Sequence, residues 1–220
     1  MSTAAVIFDC DGVLVDSEPL ANRILSELLG EHGVTMSPEE CRDTFVGLNP
    51  RGVANRLREL RGIDLSGPLI AEGSKRFMEA LERSGLEPFE GVGTAIEALL
   101  RRGVRLAAAS NSPIDELRLK LRLSGLDRWF GSHAYSGDAL GQSKPDPAVY
   151  LYTAARLGVE PHRCVVIEDT VTGVTAGVRA GMRVLGFTGT HQVAAYGLRL
   201  MDAGAARVFG AMAELEPLIG

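Results

Sequence analysis

Four separated segments carry the residue types able to do chemistry: Asp9-Cys10-Asp11-Gly12, Ser110-Asn111-Ser112, Lys144-Pro145-Asp146-Pro147 and Glu168-Asp169. Residues two apart on a strand point the same way, so Asp9 and Asp11 start on one side and Cys10 on the other. Two carboxylates that close repel one another and resist ionising together. A divalent cation relieves the repulsion, and hard oxygen ligands held by few carboxylates favour Mg²⁺. Glu168-Asp169 adds a second acidic pair. Lys144 offers a positive charge able to neutralise a nucleophilic carboxylate and a bound phosphate. Ser110 and the backbone N–H groups near it can hold phosphate oxygens.

Each segment taken alone has an ordinary reading as well. Asp9-Cys10-Asp11 can be a turn, and Glu168-Asp169 a solvated loop with Asp169 or Thr170 capping the next helix. Ser110-Asn111-Ser112 before Pro113 reads equally well as an N-cap. Asp146-Pro147 reads as N-cap and first turn, which would make Lys144 a loop lysine. Their joint occurrence, in order and after successive strands, favours a site.

The elements that must position these groups follow from hydrophobic patterning. Ala4 to Phe8, Val104 to Ala109, Cys164 to Ile167 and Val184 to Phe187 are short apolar runs ending at polar or Gly-containing turns, and His133 to Ser136 is a shorter candidate. Helical patterns lie between them at Thr94 to Arg102, Pro113 to Ser124, Pro147 to Leu157 and Val171 to Ala180. Strands alternating with helices predict an α/β fold, a parallel sheet with helices on both faces. Ligands bind such sheets at the C-terminal strand ends. From Asp16 to Gly85 no buried strand is evident and the pattern is helical, with Asp16-Ser17-Glu18-Pro19 as a helix start. The expected organisation is a core over 1–15 and 86–220, with an inserted α-helical cap over 16–85 that would roof over the site. Gly173, Gly177 and Gly181 recur every fourth residue, which predicts a helix packed close to the sheet.

Composition narrows the classes. The chain has 220 residues, 45% apolar, enough for one full core. Its net charge of −5 argues against a nucleic-acid binder. The basic clusters Arg101-Arg102 and Arg118 to Arg122 read as solvated helix faces. Three cysteines, Cys10, Cys41 and Cys164, without CxxC spacing predict neither a disulfide framework nor a structural zinc site. A reduced cytoplasmic protein is expected, with no nucleic-acid or membrane partner and no sign of an obligate assembly, hence a monomer. No uncharged apolar stretch reaches the roughly 18 residues of a membrane span. His32, His133, His162 and His191 share no metal-ligand spacing and read as structural or surface residues; Trp129-Phe130 reads as packing.

Phe8-Asp9-Cys10-Asp11-Gly12-Val13-Leu14-Val15-Asp16-Ser17 resembles the first motif of the haloacid dehalogenase-like hydrolase superfamily. Ser110-Asn111 is similar to its second motif, Lys144-Pro145-Asp146-Pro147 to its third, and Glu168-Asp169 with Gly173 to its fourth. The resemblance spans essentially the whole chain. It implies a Rossmann-like core and the small helical cap of the subgroup that holds sugar phosphatases, phosphoglycolate phosphatases and β-phosphoglucomutases. It further implies a phosphatase acting on a small phosphorylated metabolite. Asp9 would be the nucleophile forming an aspartyl-phosphate, and Asp11 the acid and then the base. Ser110, Asn111 and Lys144 would bind the phosphoryl group. Mg²⁺ would be held by the Asp9 carboxylate, the Asp11 backbone carbonyl, Asp169, and Glu168 directly or through water. The loop Gly47-Leu48-Asn49-Pro50-Arg51 would set specificity, with Gly47 and Arg51 toward substrate; Arg56, Lys75 and Arg76 read as surface coating. The alternative is a β-phosphoglucomutase-like phosphotransferase, whose cap His and basic loop residue are replaced here by Ala21 and Val46. More remote are a dehalogenase, which lacks an acid like Asp11 and uses no Mg²⁺, and a non-catalytic phosphate binder.

Overall fold

A computed structural model describes residues 3–45, 48, 50–189 and 194–220. The chain divides into two compact units, Met1–Asp16 with Glu87–Gly220, and Ser17–Leu86.

The described residues of the Ser17–Leu86 unit are helical: α1 (Glu18–Glu31), α2 (Pro38–Phe45), α3 (Pro50–Arg61) and α4 (Ser66–Pro68), which runs through a π-helical turn at Leu69–Gly73 into α5 (Ser74–Ser84). Their apolar faces close on a core of their own that includes Leu28, Leu29, Cys41, Phe45, Leu57 and Leu69. Pro19 sits in the first turn of α1 as expected, but the Ser17 side chain does not cap the helix. The reciprocal cap falls at α2 instead. There Ser37 N–H donates to Glu40 at 2.7 Å, and Glu40 N–H donates to the Ser37 hydroxyl at 3.2 Å.

In the other unit six parallel strands form one sheet: β1 (Ala5–Phe8), β2 (Arg105–Ser110), β3 (Ala134–Ser136), β4 (Cys164–Glu168), β5 (Arg183–Phe187) and β6 (Arg207–Phe209), in the order β3-β2-β1-β4-β5-β6. The candidate strand at His133 to Ser136 is therefore real. β6 lies outside the strands that the patterning predicts: it has three residues, two of them exposed, and offers no apolar run. The helices are α6 (Val92–Arg101), α7 (Ile114–Leu123), α8 (Asp127–Phe130), α9 (Ala148–Leu157), α10 (Val171–Arg179), α11 (Ala194–Asp202) and α12 (Leu215–Ile219).

All four residues of β1 are buried, so this central strand is covered on both faces, as an all-parallel sheet requires. Ala5, Ile7, Ala107, Ala109 and Val166 belong to one core cluster with residues of α9 and α10. On the alternate side of β1, Phe8 meets Phe130 of α8 edge-on, with ring centroids 6.0 Å apart. The close helix expected from the spaced glycines is α10: a Cβ at Gly177 would press into Val184 and Val166. Gly181 lies past the end of that helix.

Register fixes what converges at the C-terminal edge. Phe8 pairs with Ala108 of β2 and Ile167 of β4. One residue further along come Asp9, Ala109 and Glu168. Strand order reverses at β1, and such a switch point is where open α/β sheets bind ligands.

Candidate active site

Asp9 leaves the sheet still tied to it, its N–H donating to Ile167 O at 2.9 Å. The chain then curls: Leu14 and Val15 N–H both donate to Cys10 O, and Gly12 N–H donates to Val15 O. Gly12 has φ +77°, and a Cβ there would overlap the Asp169 carboxylate. The glycine thus serves the turn and makes room for an acid from another strand.

Lys144 sits at the centre of this edge. Its ammonium is buried and makes three contacts: Asp9 Oδ1 at 2.6 Å, Glu168 Oε1 at 2.8 Å and Ala109 O at 2.9 Å. Three acceptors use all the protons an ammonium has. The Lys144 loop is held by Asn111, whose side-chain oxygen accepts from Lys144 N–H at 2.7 Å while its amide donates to Lys144 O at 3.3 Å. Both polar atoms of Asn111 are thus directed to the Lys144 main chain. Ser110, buried at the end of β2, accepts from Ser112 N–H at 3.0 Å.

Glu168 is saturated. Oε1 accepts from Lys144 and from the Tyr150 hydroxyl at 3.0 Å; Oε2 accepts from Thr170 N–H and Thr170 Oγ1, both at 2.9 Å. Thr170 Oγ1 also caps α10 by accepting from Gly173 N–H, so the cap reading of this segment holds alongside the site. Glu168 and Asp169 are buried and form no solvated loop. A Cβ at Gly173 would collide with the Glu168 carboxylate.

Asp9, Glu168 and Asp169 can each bring one carboxylate oxygen within 4.8 Å of the others. Among the described residues these three buried acids face one ammonium, that of Lys144, a balance with negative charge in excess. The donor set is all hard oxygen, which suits Mg²⁺. Burial pushes the Asp9 carboxyl well above its ordinary range; Lys144 pulls it back, while Glu168, Asp169 and Asp11 push it further up. Burial alone would lower Lys144, but Asp9 and Glu168 outweigh it and hold the ammonium well above its usual value.

Asp11 stands apart from those three acids. Its carboxylate is 25% exposed and turned to a second buried lysine, Lys120 of α7, with Lys120 Nζ 2.7 Å from Oδ1. The Ser112 hydroxyl donates to Asp11 Oδ2 at 3.1 Å, and Lys120 also reaches Ser112 Oγ at 3.1 Å and Glu116 Oε1 at 2.6 Å. The reading of Arg118 to Arg122 as a solvated face therefore needs correcting at one position. Arg118 and Arg122 are exposed, but Lys120 is buried. The signal was present: Lys120 falls at i+3 from Leu117 and beside Leu121, on the apolar stripe, and Glu116 stands four residues before it. Tyr150 carries no such sequence signal, and Ser112 stands in its segment without an assigned role.

Of the remaining candidates, Arg51 is exposed in the first turn of α3 in the Ser17–Leu86 unit. Gly47 and Val46 lie outside the described residues. Arg56 pairs with Glu59, Lys75 with Glu79, and Arg76 with Glu31 and Glu72. His32 Nδ1 lies 2.9 Å from Leu28 O, and His133 Nδ1 2.9 Å from the Tyr135 hydroxyl. His191 lies outside the described residues.

Comparison with known proteins gives the family. The 6-phosphogluconate phosphatase of Escherichia coli is 30% identical over 183 residues, covering 83% of this chain and 81% of the relative. The phosphorylated carbohydrates phosphatase of Thermotoga maritima is 33% identical over 205 residues, covering 91% of each. The crystal structure of a HAD family hydrolase from Deinococcus radiodurans, with bound phosphate and sodium, superposes with a TM-score of 0.76 at 35% identity, over 97% of this chain and 93% of that one. The family model described as haloacid dehalogenase-like hydrolase matches residues 3–181. With that match over most of its length, and the four motif segments gathered at one sheet edge, the chain belongs to the haloacid dehalogenase-like hydrolases.

Proposed function

We propose that the protein is a Mg²⁺-dependent phosphomonoester hydrolase acting on a small phosphorylated sugar or sugar acid through an aspartyl-phosphate. The observation that carries this reading is Asp9: a carboxylate at the end of the central strand, held by Lys144 and adjoined by two further buried acids. A side chain so placed is fixed in direction, as a nucleophile must be. The substrate class follows the names of the two phosphatases above.

One Asp9 oxygen attacks phosphorus, the bond from phosphorus to the ester oxygen breaks, and Asp11 gives its proton to the leaving alkoxide. Water then attacks the phosphorus of the aspartyl-phosphate, Asp11 takes its proton, and inorganic phosphate leaves as the Asp9 carboxylate is restored. Lys144 neutralises the phosphoryl oxygens, with Ser110 and the N–H groups after it as further donors and Asn111 holding the Lys144 loop. Asp9 and Asp169, with the Asp11 carbonyl, would hold Mg²⁺. Glu168 would act through water, since its four acceptor positions are already taken by Lys144, Tyr150 and Thr170. The bound ion offsets the carboxylate charge and the charge building on the phosphoryl group. The Ser17–Leu86 unit, inserted after β1 in sequence, would select the substrate, with Arg51 as a contact.

A panel of phosphorylated sugars, polyols and sugar acids, assayed for phosphate release with Mg²⁺ and with chelator, tests the reading. Release from one compound class, abolished by chelator, is expected. Release from none, or release indifferent to Mg²⁺, overturns it. Arg51→Ala should raise KM on the preferred compounds with kcat little changed; an unaltered KM across the panel removes Arg51 from the site.

A further inference from the structure

We propose that Lys120 is the positioning residue for Asp11, so that α7 forms a second, lysine-centred half of the catalytic apparatus. This rests on the phosphatase reading above. A carboxylate that must deliver a proton to one oxygen and later collect one from water needs a fixed direction, because proton transfer demands hydrogen-bond geometry at each step. Asp11 projects from a loop just beyond β1 and is partly exposed, so the main chain alone leaves its side-chain torsions free to turn.

Lys120 and Ser112 remove that freedom with a closed ring of contacts. Lys120 Nζ grips Asp11 Oδ1 at 2.7 Å and Ser112 Oγ at 3.1 Å, and Ser112 Oγ donates to Asp11 Oδ2 at 3.1 Å. Both carboxylate oxygens are thereby fixed from one side. The third proton of the ammonium goes to Glu116 Oε1 at 2.6 Å, four residues back on the same helix. Glu116 anchors the ammonium and balances a charge that burial would otherwise penalise. Of the three charged side chains Asp11 is 25% exposed, against 11% for Glu116 and 2% for Lys120. The ring therefore presents the carboxylate outward from a buried base, and a neutral packing role for Lys120 would explain neither its ion pairs nor this direction.

If Lys120 orients the acid, its loss should matter in proportion to how badly the leaving group needs a proton. The test compares kcat/KM, which reports steps up to and including the first irreversible one, for phenyl phosphate and 2,4-dinitrophenyl phosphate. The two have similar bodies, but dinitrophenolate departs without a proton. For Lys120→Met we expect a loss of about 10²-fold on phenyl phosphate, the scale of general acid catalysis, and less than about fivefold on dinitrophenyl phosphate. Lys120→Arg should recover most of the difference. Ser112→Ala, which keeps both ion pairs, should show a smaller loss in the same direction and serves if Lys120→Met does not fold. Equal losses on the two substrates, or none, overturn the proposal while wild-type phosphate release leaves the phosphatase reading standing. Wild-type protein inactive on both substrates and on the sugar phosphate panel removes the reading, and the proposal with it.

Discussion

Lys144 and Lys120 are both buried, and each spends its three protons on two carboxylates and one neutral oxygen. They differ in what surrounds them. Lys144 lies among Asp9, Glu168 and Asp169, where the acids outnumber the lysine and leave charge for a cation to offset. At Lys120 the two carboxylates are Asp11 and Glu116, neither within the metal-compatible cluster, and one of them faces outward. The first arrangement suits a nucleophile and its metal; the second suits an acid that must be aimed. One sheet edge thus separates two carboxylates only two residues apart in sequence by giving each its own lysine.

The largest expected effect breaks the Lys144 side outright. Asp9→Asn should lower turnover by about 10⁴-fold or more, as loss of a nucleophile does, with the circular dichroism spectrum and chromatographic behaviour unchanged. Lys144→Met should both abolish phosphate release and destabilise the fold by about 3–5 kcal/mol, because it leaves Asp9 and Glu168 buried without their cation. Lys120→Met should cost less, because Asp11 can reach water. Urea denaturation of both variants with chelator present checks that ordering, and equal losses would say that the two clusters are alike.

A subtler substitution sharpens the contrast. Gly173→Ala puts a methyl against Glu168, so the acid must move; an overpacking cost of about 1–3 kcal/mol is expected. Mg²⁺ should then raise the melting temperature less than in the wild type, whereas Ser112→Ala should keep the full Mg²⁺ stabilisation. The shift follows from ligand binding to the folded state alone, so thermal denaturation with and without Mg²⁺ reads it without any assay of activity.

How far the sequence carried differs between these same two clusters. Asp9, Glu168 and Asp169 stand at the ends of apolar runs, so strand patterning and residue chemistry together point to them, and parallel register brings them to one edge; Lys144 lies in the loop after β3, legible by its charge and placed there by the loop's bonds to Asn111. Lys120 sits mid-helix between arginines, where charge content masks phase; the phase is carried by Leu117 and Leu121, both buried, with Glu116 four residues before it. Asn111 illustrates another limit. Its neighbour Ser110 suggested a ligand role, but the amide's bonds to the Lys144 main chain depend on a loop brought close by the fold. β6 is not legible in the sequence because a largely exposed three-residue strand is specified by its neighbour β5 rather than by its own pattern.

The central claim is that Asp9 itself carries the phosphoryl group. Acid quenching of the Mg²⁺-loaded protein during turnover of 2,4-dinitrophenyl phosphate, followed by peptide mass spectrometry, tests it directly. The account predicts a phosphoryl group on the peptide containing Asp9, located on that residue, discharged by hydroxylamine and missing in Asp9→Asn. A phosphoryl group on any other residue, or undiminished phosphate release by folded Asp9→Asn, would contradict it.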